Sequence, residues 1–381
     1  AHRSESPPAT LPSPPSVRDS SEMLTKPPSS LRSYHASRGL GSRYLGGGCF
    51  RPTVSASPTN QELVVTALAG NTSDLFILDL GTKQVTRITA TPFWEMDALF
   101  LPSGQEILFR ADYDNHEGEL YTISSNGSQL RHVAPGIVMP SRHLSDLNAG
   151  ISPDGKQIVF AGHHGNENDR IFMLRLSDPG QRALTSAEYE SFSPVFVRAG
   201  SQVAFAQKRV HGFSVLWTLS VVGTEGKGQH DVLTDNIVRW PIGVLRDGVN
   251  VLVMVWDSHQ PNAVELVNVN TSQVRPLLKQ DANVGNFTVL PGKDVLVFAS
   301  DKGNVPYRYD LWLLDFNSPS GAEPHRITQF AGQVASINAR PDGRAVYIVV
   351  DEKGRRCGIG TIYEVSIPDG TIRELGRNYF E

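Results

Sequence analysis

The sequence predicts an all-β protein built as a single seven-bladed β-propeller. Three observations carry that reading: a hairpin that recurs, a regular spacing between its copies, and a strand type that returns in each of them. The clearest hairpin is ISPDGKQIVFAG, from Ile151 to Gly162. An apolar approach, a tight Pro-Asp-Gly turn and alternating apolar residues describe two antiparallel strands. Pro153 fixes φ at a turn position and Gly155 accepts positive φ, while Ile158 and Phe160 point to one face and Val159 to the other.

The same pattern returns as PTNQELVV at Pro58, PSGQEILF at Pro102, RAGSQVAF at Arg198, RDGVNVLV at Arg246, PGKDVLVF at Pro291 and PDGRAVYI at Pro341. The steps between anchors are 44, 51, 45, 48, 45 and 50 residues, a period that belongs to repeats of four strands per unit. Third strands follow each hairpin: LFILDL at Leu75, LYTI at Leu120, IFMLRL at Ile171, VLWTL at Val215, VELVNV at Val264, LWLLDF at Leu311 and IYEV at Ile362. Fourth strands close on endings such as TRIT at Thr86, RALT at Arg182, VLT at Val232 and RIT at Arg326. In the third copy the four strands are expected near 148–152, 157–161, 170–176 and 182–185.

In chain order, residues 1–48 form an extended N-terminal arm and 49–381 the ring. The first 30 residues hold seven prolines and eight serines and show no helix or strand periodicity, so they cannot build a core. Residues 31–48, LRSYHASRGLGSRYLGGG, are more aromatic and are expected to lie along the ring; the arm as a whole could dock on another chain. The strand aromatics Phe172, Phe205, Trp217 and Trp312 are expected in the core, since stacked sheets bury both faces. Copies four and five carry RAG and RDG in place of the leading proline and are expected to be irregular. The seventh copy brings its own last strand, TIRELG at Thr371, so no N-terminal strand is needed to complete it. Cys49 lies just ahead of blade one and Cys357 between the second and third strands of blade seven, which makes them candidates for a disulfide stapling the seam.

Repeats of the form SPDGxxIxF resemble the TolB-like, or PD40, class of β-propeller repeat over roughly residues 53–376. The resemblance implies the propeller fold and an extracytoplasmic place, periplasmic or secreted. Four N-x-Ser/Thr sequons, at Asn71, Asn126, Asn270 and Asn286, are compatible with export.

Composition excludes several functions. A net charge of −4, a pI near 6.3 and the lack of a basic run argue against nucleic acid as partner. No apolar stretch reaches the length of a membrane span. There is no G-x-S-x-G elbow, phosphate loop or H-E-x-x-H motif. No cofactor is expected; a divalent metal ion is left open by the alternating acids of DYDNHEGE, Asp112 to Glu119, although His116 stands at the fifth position of what would be a calcium loop.

The sharpest functional signal is topological. In a propeller, second-to-third loops and blade-to-blade connections share the face around the channel mouth. His116, His163, His164, His211 and His259 fall in second-to-third loops of four successive blades, and His143 in a blade-to-blade connection; Glu95, Asp97, Tyr189, Arg239 and Trp240 join them in blade-to-blade segments. Two functions fit. In the first, the face is a non-catalytic surface, with His116, His164, His211, His259, Trp240, Asp97 and Glu95 binding a protein or a glycan. In the second, His143, His163, Tyr189 and Arg239 form a lyase site, with a neutral imidazole as base and Arg239 holding an anionic sugar group. Oligogalacturonate and ulvan lyases are built from similar repeats and use residues of these types, often with a metal ion. This sequence departs from the former in having no His-His-Gln-type motif beside a Pro-Asp-Gly turn.

Overall fold

The computed structural model describes residues 52–70, 72–113, 118–139, 149–257, 260–278, 282–317, 323–330, 332–351 and 360–376. They form seven antiparallel sheets of four strands, each sheet from consecutive strands of the chain. Helix is limited to short 3-10 turns such as Arg198–Gly200. Blade three runs Ala149–Ile151, Gln157–Gly162, Arg170–Arg175 and Asp178–Ala183. Its last strand therefore starts four residues earlier than the sequence suggests, carried by a register shift opposite Leu174 and Arg175.

The repeat places one buried side chain at a fixed register in every second strand. Seven residues beyond each anchor stand Val65, Phe109, Phe160, Phe205, Val253, Phe298 and Ile348, none more than 2 % exposed. Each fills the interface between its own sheet and the preceding one around the ring, so the core consists of inter-blade layers rather than one centre.

The hairpin turns nest, which gives the recurrent glycine a second task beyond its turn conformation. Gly155, at φ +70°, leaves a hypothetical Cβ 2.9 Å from the Pro102 ring of the preceding turn, and one on Gly200 would lie 3.1 Å from Pro153. Pro-Asp-Gly thus shapes its own turn and seats the next blade's turn against it.

Both blades expected to be irregular are so, but in different places: blade five in its ladders, with a register shift in each of its three strand pairings, and blade four at the turn itself. In blade four, Arg198 and Ala199 both take positive φ, 49° and 52°, and the Arg198 amide is tied to the Gly248 carbonyl of the neighbouring turn at 2.6 Å. Blade five keeps a regular turn, with the Gly248 amide on the Leu245 carbonyl at 2.9 Å. There Asp247 Oδ1 accepts from the amides of Val249 and Asn250, both at 2.9 Å, and this side-chain turn replaces the proline.

Closure needs no shared strand, as the seventh copy's own last strand implies. The innermost strand of blade one, Val54–Ala56, is joined to that of blade seven, Gln333–Ala339, by side chains. The Val54 amide donates to Ser336 Oγ at 3.3 Å and the Ala56 amide to Asn338 Oδ1 at 2.9 Å. Behind them Val54, Leu63 and Val65 pack on Tyr347, Val349 and Ile362. Cys49 and Cys357 lie outside the described residues.

Candidate binding face at the channel mouth

Five innermost strands carry a bulge, at Met96/Leu99, Phe192/Val195, Pro241/Gly243, Val284/Phe287 and Val334/Ser336. An extra residue there turns the strand and re-aims side chains. Four of these strands, all but Glu190–Val197, line with Val54–Ala56 a cavity of about 280 Å³ in the channel, its walls including Ser55, Asp97, Ile242, Asn286, Phe287 and Asn338. Its polar groups serve the ring first. Ser55 Oγ accepts from the Phe100 amide at 3.1 Å, and Asn286 Nδ2 donates to the Val334 carbonyl at 3.0 Å.

Asp97 occupies a bulge at φ +56° and pairs with Arg110 at 2.5 Å, both side chains largely buried. Burial raises its carboxyl above the usual range, and the Arg110 charge offsets only part of that. Two residues away, Glu95 is wholly buried. Its carboxyl accepts from Tyr113 Oη at 2.6 Å, from Thr91 Oγ1 at 2.9 Å and from Thr89 Oγ1. Hydroxyls alone surround it, because the nearby Arg87 is committed to Asp74. Loss of hydration pushes the Glu95 carboxyl up to about 7, with the Asp74 charge adding to the rise. Glu95 thus belongs to the junction of blades one and two, whereas Asp97 pairs within its own blade.

Arg239 donates through Nε to Glu265 at 2.7 Å and through Nη1 to Asp235 at 2.6 Å, and it is mostly buried. Its guanidinium is thereby spent on two carboxylates of its own chain. Trp240 packs against the core between blades three and four. His163 Nδ1 lies 2.6 Å from Oδ1 of the buried Asp169, while His164 Nδ1 takes the Gly136 carbonyl at 2.7 Å. The adjacent imidazoles thus have separate tasks. Tyr189 meets His211 edge to face at 5.9 Å, and the Arg209 guanidinium lies over its ring at 5.4 Å. His116, His143 and His259 lie outside the described residues. Among the described residues no group of three or more His, Cys, Asp or Glu side chains is placed to hold a metal ion.

A different feature dominates the face. In blade four the second and third strands, Gln202–His211 and Ser214–Gly223, run ten residues each, whereas most others run six to eight. Pairing with the first strand ends at Lys208 and with the fourth at Trp217. Residues 209–216 therefore project as a two-stranded ribbon, with Arg209 opposite Leu216, Val210 opposite Val215, and Gly212 and Phe213 at the tip. Phe213 is fully exposed and Val210 more than half exposed; Val215 and Leu216 are exposed as well. Ile237, Val305 and Tyr307 are further exposed apolar residues on connections of the same face. Of nine large apolar side chains exposed among the described residues, only Val274 and Ile372 lie toward the opposite face. Sorting the loops for polar residues misses this surface. The available signal was strand length, since alternation in AFAQKRVHGFSVLWTL continues past the point where other copies break.

Seven four-stranded blades with nested hairpin turns, two of them Pro-Asp-Gly, define a β-propeller of the TolB class. Residues 45–240, just over half of the chain, match the TolB beta propeller domain family, PD40, and the chain belongs to that family. Solved structures share the fold at low identity. An oligogalacturonate lyase in complex with manganese superposes with a TM-score of 0.61 at 11 % identity, over 86 % of this chain and 89 % of that one. The oligogalacturonate lyase of Vibrio parahaemolyticus gives 0.59 at 10 %, over 86 % and 90 %. A puromycin-hydrolyzing peptidase of Mycobacterium tuberculosis gives 0.60 at 13 %, over 86 % of this chain and 53 % of its own, so the present chain spans about half of that enzyme. At such identities these likenesses describe the fold.

Proposed function

We propose that this propeller is a non-catalytic binding module of an extracytoplasmic assembly, and that it holds a protein or glycan partner at the channel mouth. The observation that carries the reading is the blade-four ribbon with the fully exposed Phe213 at its tip, on the face that bears seven of the nine large apolar side chains exposed among the described residues. Apolar side chains concentrated on one face and rimmed by charge are the mark of a protein-interaction surface. Aromatic tips supply large contact area at low entropic cost. A protein partner answers the ribbon better than a sugar does, since Val210, Val215 and Leu216 offer no hydrogen bonds. The extracytoplasmic assignment is supported by membership of the TolB family.

The test is capture from the native source by the immobilised full chain, by Phe213→Ser and by Ile372→Ser, the last altering the opposite face. A partner held by the wild type and by Ile372→Ser but lost with Phe213→Ser is the expected result. Equal recovery on all three would remove the ribbon from recognition.

A second reading, a polysaccharide lyase, is favoured by one pair. Asp169 accepts from His163 Nδ1–H, which leaves Nε2 as the proton acceptor, the arrangement a general base requires. It ranks second because Arg239, the cation meant to neutralise a uronate carboxylate, is already engaged by Asp235 and Glu265. Sustained formation of unsaturated product from pectate or ulvan fragments, lost in His163→Ala, would place this reading first.

A further inference from the structure

The channel cavity is assembled at one depth. Val54 and Ser55 stand four and three positions before the Pro58 anchor, Ile242 four before Arg246 and Asn338 three before Pro341, and every other lining residue falls between two and five positions before its own anchor. The innermost strand of blade seven begins eight positions before its anchor, at Gln333. The cavity therefore lies in the half of the channel nearer the hairpin turns, away from the ribbon at the mouth.

Three bulges build its walls. Asp97, Ile242 and Asn286 each lie inside the register shift of their strand, where the ladder leaves a residue unpaired and turns its side chain. The backbone then fixes which way the amides point. Asn286 gives Nδ2 to the Val334 carbonyl, which can only accept, so Oδ1 remains an acceptor. Asn338 takes the Ala56 amide on Oδ1, so Nδ2 remains a donor. Neither remaining atom has a hydrogen-bond partner among the described residues, and the Thr288 hydroxyl has none there either. Ile242, Phe287 and Ile337 supply the apolar part of the lining.

Charge decides the class of ligand. Among the described lining residues Asp97 alone ionises, and its Oδ2 is committed to Arg110. No cation is left to receive a carboxylate or a phosphate. An ammonium group would meet a carboxylate already paired, and its desolvation would go uncompensated. A neutral molecule whose hydroxyls both donate and accept meets Asn286, Thr288 and Asn338 without that cost. Its C–H groups match the apolar wall. Size sets the upper bound: 280 Å³ is the room of about nine waters at ~30 Å³ each, at the lower edge of the roughly 300–1,000 Å³ of ligand pockets. One ring fits and a chain of rings does not.

We infer that the propeller binds one small neutral polyol, a monosaccharide or a cyclitol, in the turn-side half of its channel, held by Asn286 Oδ1, Asn338 Nδ2 and the Thr288 hydroxyl. This site is separate from the ribbon and adds a small-molecule ligand to a ring that meets its partner at the mouth.

Titration calorimetry on the full chain tests it, with glucose, galactose, mannose and myo-inositol as neutral probes and glucuronate, galacturonate, glucosamine and galactosamine as their charged counterparts. At least one neutral probe should bind saturably with a dissociation constant of about 1 mM or tighter. The charged counterparts should bind at least tenfold more weakly. Thr288→Val keeps the shape of the side chain and removes the hydroxyl, so it should weaken binding at least tenfold while the urea midpoint and circular dichroism stay unchanged. Absence of saturable binding by all four neutral probes would overturn the inference. Equal binding of a charged counterpart would overturn the charge argument and the inference with it, and unchanged affinity in Thr288→Val would place the ligand outside this cavity. The titration uses isolated protein and no residue of the ribbon, so this site and the partner reading can fail independently.

Discussion

Glu95 offers the most direct quantitative check on the structure. It is buried at the junction of blades one and two among hydroxyl donors, and its folded-state pKa is raised from 4.5 to about 7. Below pH about 4.5 the carboxyl is protonated in both the folded and the unfolded chain. Between 4.5 and 7 the unfolded chain releases the proton while the folded chain keeps it, so stability falls as pH rises; above 7 the loss is complete. At about 1.4 kcal/mol per pKa unit, the full penalty is on the order of 3 kcal/mol, of which about 2.5 kcal/mol falls between pH 5 and pH 8. Glu95→Gln cannot ionise and keeps a carbonyl acceptor for Tyr113. Urea unfolding of both proteins at the two pH values isolates the effect, because other titrating groups are common to them. The variant should gain about 2 to 3 kcal/mol relative to wild type from pH 5 to pH 8. A relative stability that changes by less than about 0.5 kcal/mol would mean that Glu95 is hydrated or paired with a cation, and the description of this junction would be wrong.

Three further predictions concern the ring. Phe160→Ala, at a fully buried register position, should cost about 3 to 5 kcal/mol by urea unfolding. Gly155→Ala forces a Cβ into the left-handed region and to 2.9 Å from Pro102, so a loss of roughly 1 to 3 kcal/mol is expected, against little effect for Gly165→Ala on stability beyond its own φ, since no atom lies within 4 Å there. Asn338→Ala removes the acceptor for the Ala56 amide at the seam. Hydrogen exchange at Ala56 should accelerate by at least tenfold while exchange in blade four stays unchanged.

What the sequence determined by itself was everything that depends on repetition. A turn that needs Pro and Gly, followed by strict alternation, is a local constraint, and seven copies at one period fix the blade count, the strand order and the buried position from Val65 to Ile348. It also determined which loops reach the mouth, because alternation of strand direction sorts connections between two faces; this brought Asp97, Arg239, His163 and Tyr189 to attention. Only the tertiary structure decided what those residues do there. Arg239 meets Glu265 across 26 residues of sequence and Asp97 meets Arg110 across a bulge, and neither partnership follows from spacing. Glu95 is perturbed because three hydroxyls and no cation converge on it, a property of packing between blades. The ribbon of blade four stands free because its neighbouring strands stop at Lys208 and Trp217, and exposure depends on where partners end, which the residues of the ribbon itself do not encode.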